Sequence, residues 1–305
     1  MSQINLKQAQ DYCRKLARSH YENFTVGSFL LPPKLRQHIY NVYAYSRISD
    51  DLADEHGSPR ERLKNLEDWE KKLIACYKGE NHHPVFVALR QTIDEFSIPV
   101  EPFQNLLVAF KQDQAIKRYD TFDQLLGYCE NSANPVGRIY LYLFKLASSE
   151  RFHYSDQICT ALQLTNFWQD VSIDFQKKRI YIPFEDLTRF NCIEQDLQTK
   201  SASPQVKELI AFQVDRTQRM FNEGKNLLKL VSNRPKFEIA LFIRGGESIL
   251  RKIRQQEYDV LNSRPVINKI QKFNLILKTL ISKGSIPQMG IEEKSKIQQE
   301  IELIR

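Results

Sequence analysis

The chain has 305 residues, of which 42% are hydrophobic and 27% charged, a balance that excludes a disordered chain and suits a globular protein with a sizeable core. Lysine and arginine number 44 against 37 aspartates and glutamates, a formal charge of +7; such a surplus can serve nucleic acid, anionic lipid or a phosphorylated small molecule, but the basic residues are spread out and no nucleic-acid motif occurs, so nucleic acid is not an expected partner. No apolar run reaches the ~18 residues of a membrane span, the first fifteen residues place no apolar stretch behind their charges, and five singly scattered cysteines (Cys13, Cys76, Cys129, Cys159, Cys192) fit free thiols in a reducing cytoplasm.

With 10 glycines and no hairpin-spaced alternation, the pattern predicts helix after helix. The first clear one starts at Pro33 and runs through the acidic segment ending near Glu55. Ser58-Pro59-x-Glu61 reads as a capping box with proline at the first helical position, opening a helix that stops near Gly79. Helices are expected over Pro84–Ile98 and Glu101–Lys117, then over Phe122–Leu146 with a kink at Pro135. Ser155 reads as the cap of a helix reaching Phe175. Pro204–Val231, Pro235–Leu261 and Val266–Ser282 complete the set. Val266–Ser282 interleaves Val266, Ile270, Phe273, Leu277 and Leu280 with Lys269, Lys272 and Lys278. It reads as a core-packing amphipathic helix in preference to a basic interfacial one. No repeat or linker is visible, so one domain is expected over residues 1–290, with a C-terminal tail at 291–305.

Two acid clusters carry the chemistry. In Asp50-Asp51-Leu52-Ala53-Asp54-Glu55, Asp50 and Asp54 share a helix face, and that face continues backward through Arg47, Tyr43 and Ile39. In the second cluster Ile158, Leu162, Asn166, Asp170 and Asp174 are spaced four apart. Both sets of carboxylates therefore continue an apolar stripe, whereas surface acids should face away from it. Like charges at this spacing oppose a helix, and turning them toward a core is costly unless a cation compensates. All-oxygen ligands select a hard cation, and Mg²⁺ shares such ligands with phosphate oxygens. The six histidines (His20, His38, His56, His82, His83, His153) show no ligand spacing, so zinc is not expected. Arg47 precedes Asp50, and Arg179 follows Asp174 in Arg-Ile-Tyr-Ile-Pro, where a guanidinium can grip an anion. Lys177 and Lys178 read as a solvated helix end.

Asp50-Asp51-x-x-Asp54 with Asn166-x-x-x-Asp170-x-x-x-Asp174 and Arg179-Ile180-Tyr181 resembles the paired motifs of the squalene/phytoene synthase family, over residues 10–283. The resemblance implies an all-α isoprenoid synthase fold, a helical bundle around a central cavity. It implies Mg²⁺ (Mn²⁺ as an alternative) on Asp50, Asp54, Asn166, Asp170 and Asp174, and a prenyl diphosphate substrate. Residues matching Tyr43, Arg47, Arg179, Tyr181 and Tyr258, with Phe24, would line the site. Trp168, off the acid face, reads as packing. The phrases His20–Phe24, Asp50–Glu55, Tyr128–Gly137 and Asn166–Asp174 look most like the branch that makes hydroxysqualene in bacterial hopanoid biosynthesis. That branch takes presqualene diphosphate, releases diphosphate and adds water, a carbon–oxygen lyase reaction, with no NAD(P)H. No Gly-rich dinucleotide fingerprint occurs here.

Three departures separate the chain from the condensing members. Gln169 stands where they commonly carry arginine, Glu22-Asn23 replaces a Lys-Ser-like pair, and Asn131, Ser132 and Asn134 replace small apolar residues. All three fit a single-diphosphate substrate. The expected mechanism is ionisation of the diphosphate, stabilisation of the cation by aromatic faces and capture by one held water. Asn131 and Asn134 are the candidates to hold that water, with Pro135 removing the N–H that would meet the Asn131 carbonyl; both amides could instead bond the kinked helix. The rival within the fold is head-to-head condensation of two prenyl diphosphates. A non-catalytic scaffold should have lost its acid motifs, and both are intact. A cytoplasmic protein is expected, with peripheral, transient contact at the inner membrane face as the most the pattern implies, and with other enzymes of the hopanoid/squalene pathway as candidate partners.

Overall fold

The computed structural model of the chain describes residues 4–19, 33–54, 57–80, 82–268, 271 and 279. Every regular element among them is a helix, with no strand, as an all-α chain requires. The described chain forms two compact units: the first comprises Met1–Ile116 and Glu130–Ala147, the second Lys117–Cys129 and Ser148–Arg305.

The first unit is built from α1 (Leu6–Ser19), α2 (Pro33–Asp54), α3 (Pro59–Tyr77), α4 (Pro84–Phe96), α5 (Glu101–Ala115) and α7 (Asn134–Leu143). Local signals set their ends. At α3 the Ser58 hydroxyl accepts from the Glu61 N–H (3.3 Å), while the Glu61 carboxylate accepts from the Ser58 N–H (2.7 Å), so two otherwise orphaned donors are satisfied. Pro84 opens α4 behind His83, whose ring nitrogen accepts from the Val85 N–H. Ser97, left-handed at φ 49°, closes it. The core gathers Tyr45, Leu66, Trp69, Leu73, Phe86, Leu89, Phe103 and Leu107, all at most 3% exposed.

The second unit holds α8 (Ser149–Gln169), α9 (Val171–Gln176), α10 (Phe184–Arg189), α11 (Pro204–Gly224), α12 (Leu227–Leu230) and α13 (Asn233–Gln255). In chain order α6 (Phe122–Ser132) begins in the second unit and ends in the first. Helices α8, α11 and α13 pack on one another through Ile158, Leu164, Trp168, Leu209, Val214, Phe221 and Leu250. Trp168 is fully buried and donates its Nε1–H to the Thr217 hydroxyl at 2.8 Å, the packing role its position implies.

Four expectations need correction. Ser148 caps α8, accepting from the Arg151 N–H, while Ser155 lies inside the helix and is buried. Pro135 breaks the predicted Phe122–Leu146 helix instead of kinking it: Ala133 leaves the helical ladder at φ −117°, ψ −48°, and the proline sits in the first turn of α7, where its missing N–H costs nothing. The helix predicted to reach Phe175 stops at Gln169 and restarts at Val171. The helix predicted over Pro235–Leu261 ends at Gln255, so Tyr258 lies in a turn at φ 62°. Val266–Ser282 falls almost entirely outside the described residues, as does the 291–305 tail.

Candidate active site

In the first unit the acid face of α2 develops as spaced. Tyr43, Arg47 and Asp50 are half-buried, and Asp54 is exposed at the helix end. Arg47 donates to Asp50 Oδ2 at 3.2 Å and bonds Asp51 Oδ1 through its other terminal nitrogen. Its Nε is buried and makes no hydrogen bond among the described residues. Burial works against the Arg47 charge, but Asp51 and Asp50 outweigh it and hold the guanidinium above its ordinary pKa. Asp50 is pushed up, first by burial and then by Asp54, with Asp51 and Asp113 adding and Arg47 opposing. Burial also raises the Tyr43 phenol, so it stays protonated. The opposite face of α2 is anchored: Trp69 donates to the Ser49 hydroxyl (3.0 Å), Ser49 to the Tyr45 carbonyl (2.8 Å), and Tyr45 to the Phe103 carbonyl (2.9 Å).

The same unit holds the helix break. Asn134 is 4% exposed at the start of α7, Asn131 is half-buried, and the Ser132 hydroxyl is buried with no hydrogen-bond partner among the described residues. A buried hydroxyl is expensive unless something polar meets it.

In the second unit the stripe runs from buried Ile158 through half-buried Leu162 to exposed Asn166. Asp170 occupies the break between α8 and α9, at φ −108°, ψ 15°. The four-residue spacing survives because the backbone still bonds across it, Asp170 N–H to the Asn166 carbonyl (3.0 Å) and Asp174 N–H to the Asp170 carbonyl (2.8 Å). The Asn166 amide donates to Asp170 Oδ2 at 2.8 Å. Arg264 grips the same carboxylate with two nitrogens, Nε on Oδ1 and Nη2 on Oδ2 at 3.1 Å; this hydrogen bonding keeps its guanidinium above its ordinary pKa. Asp174 is raised to about 6 by burial and then by Asp170, with Lys177, Arg179 and Arg264 opposing. Gln169 donates to the Pro265 carbonyl. Lys177 and Lys178 are exposed.

Asp174 and Arg179 line a pocket with Phe167, Val171, Ile180 and Tyr181. Tyr181 lies flat on Phe167, centroids 3.7 Å apart and planes 7° off parallel. Tyr119 and Tyr128 each stand 6.0 Å from Tyr181 and 5.8 Å from one another, so the three rings form one cluster. The second unit thus brings an anionic and a cationic group to one pocket with stacked aromatic rings. Tyr258 is half-buried in its turn, its N–H on the Ile253 carbonyl at 2.9 Å. Phe24 and the rest of His20–Phe24 lie outside the described residues.

Sequence reasoning missed Arg264 and Asp113. Arg264 meets Asp170 across ninety-four positions, and no local pattern marks it. Asp113 lies on α5, where an acid on a mixed helix face looks like surface charge.

Comparison with known proteins converges on one class. The squalene/phytoene synthase family profile matches residues 17–271, and the chain belongs to that family. A phytoene synthase of Arthrospira platensis is 29% identical over 270 residues, covering 84% of this chain and 87% of the relative. A 15-cis-phytoene synthase of Synechocystis is 26% identical over 86% of this chain and 82% of its own length. Among solved structures, the squalene synthase HpnC from Alicyclobacillus acidocaldarius superposes with TM-score 0.80 at 42% identity, covering 83% of this chain and 95% of that one. A dehydrosqualene synthase bound to a ligand superposes with TM-score 0.79 at 26% identity, over 90% and 96%. The chain therefore has the all-α fold of these synthases, and it is similar to enzymes acting on prenyl diphosphates.

Proposed function

We propose that the chain converts presqualene diphosphate and water to hydroxysqualene and diphosphate, with Mg²⁺ and without NAD(P)H. The observation that carries water capture is Asn134. It is a 4% exposed amide at a helix break with Asn131 and the buried Ser132 hydroxyl alongside. A water in an apolar pocket needs two to four such polar partners. The 42% identity to the HpnC squalene synthase supports the same branch of the family.

The donor set suits Mg²⁺. Among the described residues no group of three or more His, Cys, Asp or Glu side chains converges as a metal cage. Mg²⁺ does not need one, since it binds through one or two carboxylates, retained waters and substrate phosphates. Asp50 and Asp54 would supply one carboxylate pair, and Asp170 and Asp174, with Asn166, the other. When bound, Mg²⁺ neutralises charge on the departing diphosphate. Arg47, Arg179 and Arg264 add fixed positive charge for the anion. Gln169 contributes no charge, and its amide braces the Pro265 carbonyl. Tyr43, whose phenol burial keeps protonated, and Tyr181, stacked on Phe167, favour the cation left behind through their aromatic rings. Asn131 and Asn134 orient the attacking water.

A second reading is head-to-head condensation of two prenyl diphosphates, favoured by the relatives named phytoene synthases. Purified protein with Mg²⁺ is given presqualene diphosphate in one arm and farnesyl diphosphate in the other, both without NADPH. Hydroxysqualene in the first arm alone supports water capture. Presqualene diphosphate or a C30 hydrocarbon from the second arm establishes condensation. No helix among the described residues is long and apolar enough to cross a membrane; we propose that exchange of the lipid substrate and product takes place during peripheral contact with the membrane from the cytoplasmic side.

A further inference from the structure

The last turn of α2 is where this helix is least able to hold itself. Its final carbonyls have no intrahelical donor. Three carboxylates, Asp50, Asp51 and Asp54, crowd the end at which the helix dipole is already negative. Two residues from other helices meet that weakness. Gln114, on α5, donates its amide to the Ala53 carbonyl at 3.1 Å and to the Phe110 carbonyl at 3.2 Å. Arg62, on α3, donates Nε to Gln114 Oε1 at 2.7 Å and Nη1 to the Gly57 carbonyl at 3.2 Å. The guanidinium thus fixes which way the amide points, and the amide caps the backbone one residue before Asp54. The side chain that closes the acid motif is exposed, so its direction is set by its backbone, not by packing.

We infer that Gln114, oriented by Arg62, is a positioning residue that holds Asp54 in line with Asp50 for a divalent cation, an inference that rests on reading α2 as a metal-binding helix. The relay touches no substrate and no ligand oxygen. Its effect should therefore appear in metal affinity, separately from stability. The full chain is titrated with Mn²⁺ in the presence of inorganic diphosphate, free Mn²⁺ being read by electron paramagnetic resonance, and thermal unfolding is followed in EDTA. Gln114→Met and Arg62→Met should each weaken Mn²⁺ binding about three- to tenfold, the effect of losing one or two ordinary hydrogen bonds. Because they break one relay, the double variant should be no worse than the weaker single. Tyr77→Phe is the control: it removes hydrogen bonds to the Ile98 and Pro99 carbonyls at the far end of α3, and should lower the unfolding temperature while leaving Mn²⁺ affinity unchanged. Gln114→Met and Arg62→Met with wild-type Mn²⁺ affinity would overturn the relay and leave the metal reading standing. A wild-type chain that takes up no Mn²⁺ with diphosphate would overturn the metal reading and the relay together.

Discussion

Replacing Asp174 with asparagine should make the protein more stable and less active. Burial and the neighbouring Asp170 move this carboxyl from the ordinary 3.8 to about 6. A group whose pKa is raised by folding contributes stability that is fully present below its unfolded pKa and is lost as pH climbs through the folded value. At pH 4 the wild-type side chain is largely neutral, as asparagine is, and the two proteins should unfold alike. Above pH 6 the wild type must hold an ionised carboxylate where the fold disfavours it. A shift of about two units corresponds to ~3 kcal/mol at 1.36 kcal/mol per unit, and partial exposure to solvent reduces this to about 1–1.5 kcal/mol. For a chain of this size that is a rise of about 2–4 °C in the unfolding midpoint. The assay is thermal unfolding in EDTA from pH 4.5 to 8, for both proteins. With Mg²⁺ and inorganic diphosphate the order should invert, since a ligand stabilises the form that binds it, and turnover of prenyl diphosphate by the variant should collapse. A variant less stable than wild type at pH 7.5 in EDTA, or a difference independent of pH, would refute the reasoning. Either result would mean that Arg179 and Lys177 already compensate the charge and that no cation is called for.

Arg264→Met removes the two-pronged contact with Asp170. Arg264 is 43% exposed, and such a pair contributes no more than about 1 kcal/mol, so the unfolding temperature should barely move while inorganic diphosphate, measured calorimetrically with Mg²⁺, binds roughly tenfold more weakly; unchanged diphosphate affinity would return Arg264 to a surface ion pair. Asn134→Leu keeps the branched shape, at a larger volume, and removes the buried amide, and should turn the C30 product from alcohol toward alkene when analysed by gas chromatography; an unchanged product mixture would end the water-holding role. Gly246→Ala brings a Cβ within 2.4 Å of Phe221 Cζ and 2.9 Å of Leu162 Cδ2, an overpacking worth about 1–3 kcal/mol, so its unfolding midpoint should drop by several degrees. Because Leu162 belongs to the stripe that leads to Asp170, an alanine tolerated without loss would show that α13 does not brace that stripe.

What the sequence makes legible follows from how far each signal reaches. Ser58, Pro59 and Glu61 specify the start of α3 because the capping box closes within four residues. The acid faces are legible for the same reason, since a side chain's azimuth on a helix is local arithmetic. Ser155 misleads because a serine can equally cap a helix or sit buried inside one, and the segment from Ser149 to Tyr154 has too little apolar periodicity to push the start back to Ser148. Pro135 announces a disruption, but whether a proline bends a helix or divides it depends on the residues around it. Here Ala133 leaves the ladder and Asn134 begins a new one. The break at Asp170 has no proline or glycine to mark it.

The contacts around the second acid cluster lie beyond any local pattern, and they come as a pair. Gln169 holds the Pro265 carbonyl and Asp170 holds Arg264, so two neighbours at the end of α8 clasp two neighbours nearly a hundred residues on. The pairing gives a physical reason for the neutral side chain at 169. An arginine there could reach the same carbonyl, but it would set a second guanidinium beside Arg264, against a carboxylate already engaged on both oxygens, and like charges so placed are costly. A glutamine supplies the donor without the charge. The clasp sets one guanidinium on Asp170 among the described residues, and it ties the neutral side chain at Gln169 to an arrangement that the chain completes elsewhere.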